Sequence, residues 1–206
     1  MILRTLCILA AVALTASGLS AQVEQVHIPK LHDVTGVAAD DTLNIRAEPS
    51  GAAAIIGELG PFETGIEVTA LNSSGAWGRI IAGETDGWVS MAYLSPRPFP
   101  SGGVPNGMRC YGTEPFWSLD FSDGMATYSE MGGAQPQTGP FFAARLYEVV
   151  SGFDIPLPNH DLSGVIEPAS CTDGMSDRSF GWQLLLLARQ GNDRHLLHGC
   201  CTLDQR

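Results

Sequence analysis

Residues 96–107 read Pro-Arg-Pro-Phe-Pro-Ser-Gly-Gly-Val-Pro-Asn-Gly. Proline has no backbone N–H to give to a ladder, and glycine loses the most conformational freedom on ordering. A stretch this dense in both is neither a helix nor a central strand. Whatever the chain folds into is therefore built on two sides of a break, and the segment reads as a linker. It separates residues 31–95 from residues 108–206, both within the usual size of a domain. The first piece is near the lower limit at which a single apolar core holds a fold. Residues 22–30 form a short polar lead-in to it.

On both sides of the break the repeating signal is that of short strands. Leu43–Arg46, Ile66–Leu71, Trp77–Ile81 and Gly87–Ser90 are rich in β-branched, aromatic and other apolar residues, and Gly, Asn, Asp and Ser punctuate them. Phe116–Phe121, Met125–Ser129, Phe141–Val150, Val165–Pro168 and Gly181–Arg189 continue the pattern. Within the last of these, Trp182–Leu187 is apolar enough to read equally as a buried helical turn. No long 3.6-residue stripe occurs elsewhere, so the expected class is all-β: a small barrel followed by a second β domain, itself barrel-like.

The N-terminus bears on compartment. Arg4 precedes an apolar run, Leu6–Ala16, and small residues follow at Ser17, Gly18, Ser20 and Ala21. That is the order of a secretory signal, with cleavage expected after Ala21; the run is too short for a spanning helix. Membrane contact is then confined to export, and a periplasmic location is expected. The chain carries a formal net charge of −11 at pH 7, which the loss of Arg4 makes more negative. Affinity for nucleic acid comes from Lys and Arg on phosphates, so nucleic acid is excluded as a partner. Cys110, Cys171, Cys200 and Cys201 follow the leader. An even number in an exported protein reads as disulfides. A bond between the neighbours Cys200 and Cys201 would close a strained eight-membered ring. Two pairings remain, each tying Cys110 and Cys171 separately to the C-terminal pair.

Over residues 34–95 the motifs become specific. Leu43-Asn44-Ile45-Arg46-Ala47-Glu48-Pro49-Ser50 is followed by Ile56-Gly57-Glu58-Leu59, Trp77-Gly78-Arg79-Ile80 and Gly87-Trp88-Val89-Ser90-Met91-Ala92-Tyr93-Leu94. This order resembles bacterial SH3 (SH3b) domains, with their LNVRxxPS start, W-x-[KR]-V strand and GWV-xxx-YL finish. The resemblance implies a non-catalytic module that binds cell-wall peptides or protein partners. On strand alternation Asn44 and Arg46 point away from the core that Leu43 and Ile45 enter, and Trp77 shares a face with Arg79. Together with Tyr93 these make the candidate groove for an extended peptide. Trp88 is expected in the core. Residues 31–95 carry nine acids against Arg46 and Arg79, a balance that repels carboxylate-bearing wall peptides at long range and suits a cationic or amine-bearing partner.

The second piece begins Cys110-Tyr111-Gly112-Thr113-Glu114-Pro115-Phe116-Trp117. It continues through Cys171-Thr172-Asp173-Gly174-Met175-Ser176-Asp177-Arg178 and ends His198-Gly199-Cys200-Cys201. It is similar to a family of bacterial envelope domains with a C-x-G-x-EPFW start, a C-x-DGMSD middle and a GC[CG] end, for which no reaction carries over. Phe116 and Trp117 face opposite sides of a strand, so at most one is in a core. Residues 173–178 read as a structured loop whose start Cys171 pins. Glu114, Trp117, Asp173, Ser176, Asp177 and Arg178 are its candidate binding residues, weighed against plain turn formation by Asp and Ser.

Chemistry beyond binding finds little support. His195 and His198 would lie on opposite faces of a strand, as would Cys200 and Cys201, so no metal site is expected. An even cysteine count leaves no thiol for a nucleophile, and neither a Gly-x-Ser-x-Gly elbow nor a Cys-x-x-Cys pair occurs. Neither catalytic residues nor a cofactor is expected. The reading is a non-catalytic envelope protein that binds through its SH3-like module. The alternative places a small-molecule pocket in the second domain, with the SH3-like module as tether. A wall-associated hydrolase or redox enzyme is the third option.

Overall fold

The computed structural model describes residues 28–206 apart from 101, 134, 147, 148 and 205. The secretory leader expected at 1–21 lies outside the described residues. The protein is all-β; among the described residues the only helical turn is a 3-10 segment, Met91–Tyr93. Trp182–Leu187, for which a helical turn was the other reading, is strand.

Eight strands form the first domain. β1 (Lys30–Val34) lies between β4 (Ile66–Val68) and β8 (Leu94–Pro96). β3 (Ile55–Leu59), β2 (Leu43–Arg46), β7 (Thr85–Ser90), β6 (Trp77–Ala82) and β5 (Ala70–Leu71) make the second sheet in that order. Alternation drives the core: Leu43 and Ile45 of β2 meet Leu59, Ile66, Val68, Ile80 and Val89. Trp88, expected there, is only half-buried, and the buried neighbours on its strand are Gly87 and Val89. β1 is a strand that pattern alone does not find, because its inward residues are His32 and Val34.

The second domain is one antiparallel nine-stranded sheet that nearly closes into a barrel. Two meanders build it. β9 (Arg109–Thr113), β10 (Phe116–Ser122), β11 (Met125–Glu130) and β12 (Gln137–Pro140) form the first. β13 (Phe142–Leu146), β14 (Val150–Pro156), β15 (Asp161–Cys171), β16 (Phe180–Gln190) and β17 (Asp193–Thr202) form the second. The two are joined where β17 pairs with β9, Cys201 opposite Cys110. Inward side chains fill the interior, among them Trp117, Leu119, Phe121, Tyr128, Phe153, Trp182 and Leu184. Trp117 fits because the positions beside its indole are glycine. A Cβ at Gly199 would stand 2.6 Å from the ring and 2.5 Å from the Tyr111 carbonyl oxygen. Gly199→Ala should therefore cost about 1–3 kcal/mol through overpacking, read as a lower thermal midpoint. An unchanged midpoint would mean that the barrel gives way freely here.

The structure decides between the two disulfide pairings: Cys110 bonds Cys201, and Cys171 bonds Cys200. Successive residues of a strand face opposite sides. Cys201 therefore points into the barrel, where Cys110 is its direct cross-strand neighbour, and Cys200 points outward to Cys171.

Beyond Pro96, which ends β8, the described residues of the 96–107 segment form no strand, but several of them are held by contacts with the two domains. The Arg97 Nε donates to Asp33 at 2.6 Å. Phe99 packs on Trp182 with ring centroids 5.9 Å apart and lies under the Arg145 guanidinium. Val104 is buried in the barrel core.

The two domains dock through polar groups. Glu67 of β4 has no exposed surface. Its Oε1 accepts from the Trp182 indole N–H at 2.8 Å and the Leu203 N–H at 3.1 Å, and its Oε2 from the Thr202 hydroxyl. Both faces of β4 are buried: Ile66 and Val68 enter the small barrel, and Glu67 enters the large one. A second set of contacts joins the β6–β7 turn to the 173–178 loop. The Arg178 Nη2 pairs with Glu84, the Asp177 N–H donates to the Glu84 carbonyl, and the Ser179 N–H donates to Asp86 at 2.8 Å.

Candidate functional site

One groove of about 530 Å³ opens on the first domain. Asn44 and Arg46 reach it from the outward face of β2, Trp77 from the first position of β6, and Tyr93 from the 3-10 turn. Local chemistry places each of them. The Asn72-Ser73-Ser74-Gly75 turn starts β6: Asn72 Oδ1 accepts the Trp77 N–H at 3.1 Å, and Gly75 supplies the left-handed φ of +72° that the turn needs. The Arg46 Nη1 donates to the Ala53 carbonyl at 2.7 Å, which anchors the guanidinium stem at one rim. Gly36, with φ +71°, lies beneath the Tyr93 ring; a Cβ there would meet its Cδ1 at 3.8 Å. Tyr93 is 42% exposed and Trp77 half-buried. The groove thus presents two aromatic surfaces, an amide, one cation and the carboxylate of Asp41, and Asp40 and Glu48 are exposed on the same loops. It can hold an extended chain by stacking and by hydrogen bonds to Asn44 and Arg46, with its acidic border favouring an amine.

Arg79 does not join this group. It shares a strand face with Trp77, but its Nε donates to the Thr69 hydroxyl at 3.2 Å and lies 3.7 Å from Asp86, the acid that also receives the Ser179 N–H. Its place is the domain junction.

In the second domain the candidates converge only in part: Trp117, Asp173 and Arg178 line one cleft, and Glu114, Ser176 and Asp177 do not. Glu114 is exposed at the tip of the β9–β10 hairpin. Trp117 is the buried member of its pair and Phe116 the exposed one, at 41%. The 173–178 loop is closed on itself: Asp173 Oδ1 accepts from the Met175 N–H at 3.0 Å, the Ser176 N–H at 2.9 Å and the Ser176 hydroxyl. Burial raises the Asp173 carboxyl, and these hydrogen bonds overcome that and hold it below the usual carboxylate range. Asp173 and Ser176 thus shape the loop, while Asp177 and Arg178 dock it against the first domain. Asp173 and Arg178, with Tyr111, Thr113, Phe116 and Met131, also line a cleft of about 470 Å³ on the outer face of β9 and β10.

His195 and His198 project from opposite faces of β17, and the described residues contain no group of three His, Cys, Asp or Glu side chains placed to hold a metal.

Sequence reasoning did not single out Glu67, His32 or Arg109. Glu67 and His32 sit at strand positions where neither residue type signals burial, and Arg109 precedes a motif whose aromatics draw the eye.

Residues 41–95 match the family described as bacterial SH3 domain. The match covers β2 through most of β8; β1 and the whole second barrel lie outside it. No curated protein and no solved structure matches the chain.

Proposed function

We propose that the protein is a non-catalytic component of the cell envelope that binds an extended peptide, of the wall or of a partner protein, along the groove of its SH3 domain. The supporting observation is the convergence of Asn44, Arg46, Trp77 and Tyr93, from three separate elements, on one open groove. Such modules are generally binding modules, and disulfides suit a protein that works outside the cytoplasm. The acidic border made by Asp40, Asp41 and Glu48 favours a peptide with a free amine or a lysine side chain over one presenting carboxylates. On this reading the N-terminal leader delivers the chain to the periplasm, and the second barrel holds the module in a fixed orientation.

The test is retention of the oxidised protein, without its leader, on purified sacculi across a salt series. Wild-type retention should fall as salt rises, because charge contributes. Trp77→Ala should weaken it by about tenfold or more, the scale of losing one aromatic contact of about 1.5 kcal/mol. If sacculi retain nothing, the wall is not the ligand. If Trp77→Ala and Tyr93→Ala both bind every captured partner as well as wild type, the groove is not the site.

A further inference from the structure

We propose that the cleft between the two domains is a second binding site, and that it takes a carboxylate carrying an apolar group. The carboxylate sits on Arg109 and Arg178, and the apolar group lies over Phe116.

The cleft has a volume of about 640 Å³, within the range of small-molecule sites. The first domain supplies one wall, with Ile56 and Ile81; β9 supplies the floor, with Arg109 and Tyr111 on its outward face. It adjoins the outer cleft of the second domain, and Tyr111, Arg178 and Phe180 line both. Taken as one furrow, the two adjoining clefts place the Arg109 and Arg178 guanidinium groups on one side and the exposed Phe116 and Met131 on the other.

Charge selects the ligand. In a chain of net charge −11, Arg109 is half-buried and has no carboxylate within 4.0 Å among the described residues. Among the described residues its guanidinium makes one hydrogen bond, from Nη2 to the Asp204 carbonyl at 2.8 Å, and its buried Nε has no partner. Asp120 is its cross-strand neighbour but does not close to an ion pair. Among the described residues Arg178 gives only Nη2, to Glu84, and its buried Nε has no partner. A cation kept half out of water without a counter-ion is costly, and a carboxylate held by charge-assisted bonds relieves that cost. The acids that line the furrow do not serve: Glu63 and Asp204 are engaged by Arg206, Asp173 is spent on its own loop, and Glu58 is on the exposed opposite wall. The other end asks for apolar surface, since among the described residues no element covers Phe116 or the 78% exposed Met131.

A fatty acid and a peptide ending in an apolar residue share this chemistry, so titration calorimetry of the disulfide-intact protein should compare octanoate with N-acetyl-phenylalanine. Octanamide and acetate remove the charge and the tail respectively. At least one of the first two should bind saturably, and about tenfold more tightly than octanamide or acetate. The tighter of the two identifies the source. Arg109→Gln should weaken that binding about tenfold, Arg109→Lys less, and Phe116→Ala severalfold. Trp77→Ala should leave it unchanged, which separates this site from the peptide groove. Should Arg109→Gln fail to fold, the side-chain N–H resonances of Arg109 and Arg178 in the wild-type protein must move when the ligand is added. Absence of saturable binding at millimolar concentration, equal binding of octanoate and octanamide, or unmoved arginine resonances would overturn the proposal.

Discussion

Glu67→Ala should loosen the second domain from the first and lower the thermal midpoint by roughly 2–12 °C. The substitution leaves the Trp182 indole N–H, the Thr202 hydroxyl and the Leu203 N–H facing an apolar void. A buried polar group without a partner costs about 1–3 kcal/mol, and a domain of this size loses about 2–4 °C per kcal/mol. Calorimetry, with limited proteolysis in the 96–107 segment as a second reading, checks it. A shift under about 2 °C would mean that the carboxylate is incidental to docking. Glu67→Gln should be mild at neutral pH. Its amide oxygen keeps the bonds from Trp182 and Leu203, and its NH2 donates to the Thr202 oxygen, which already accepts the Asp204 N–H.

The same carboxyl sets a pH dependence. Burial pushes it up to about 7, against the pull of the hydrogen bonds from Thr202, Leu203 and Trp182, with Asp204 adding a small push. A carboxyl whose folded pKa is raised binds its proton more tightly in the folded state. Its contribution is therefore complete below its unfolded pKa and is lost as pH rises toward and through about 7. His32, on the adjacent strand, works in the other direction. Burial lowers its pKa and outweighs the bond to the Lys30 carbonyl, so its contribution is lost as pH falls through the acid side of its usual range. The two slopes offset each other on the acid side, so the wild type should lose stability mainly as pH rises through about 7, and Glu67→Gln should remove that loss and leave the opposite slope of His32. A variant with the wild-type slope would remove Glu67 as its source.

Loss of the Cys110–Cys201 bridge is the second large effect. The paired residues are 91 positions apart, against 29 for Cys171 and Cys200. Loop-closure entropy assigns about 4.5 kcal/mol to the first and about 3.5 kcal/mol to the second. Cys110 and Cys201 are also fully buried in the barrel core, and their bond locks the strand pair that joins the two meanders. The paired alanine variant at 110 and 201 should melt lower than the one at 171 and 200. The reverse order would show that the loop anchored by Cys171 matters more than the seam.

Both effects lie where local pattern is silent. β2, β10 and β11 are legible because apolar and polar residues alternate in them, and the groove of the first domain follows from that alternation together with Trp77 and Tyr93; β16 is less so, because the unbroken apolar run Leu184–Leu187 suits a helical turn as well as a strand. β17 is not: its exposed half, Asp193 to Leu196, mixes charge with imidazole and leucine, and His195 through Cys201 draws attention as a ligand cluster before it is seen as a strand. β1 is hidden because its inward residues include a histidine. For Trp88 the size of the side chain suggests burial, yet the strand's alternation buries Gly87 and Val89 instead.

The amino-acid sequence by itself determined the all-β class, the SH3 pattern, and the restriction of the cysteines to two pairings. Each is written in neighbouring residues, through strand periodicity, backbone chemistry or the spacing of motifs. Tertiary structure alone decided which pairing holds, because that depends on strand register. It also decided that the two barrels dock, and that Glu67, Arg178 and Arg79 belong to the junction. Alternation states that a side chain points outward from its own sheet but not what covers it. A glutamate on the outer face of a strand looks the same in sequence whether it meets water or the indole of another domain.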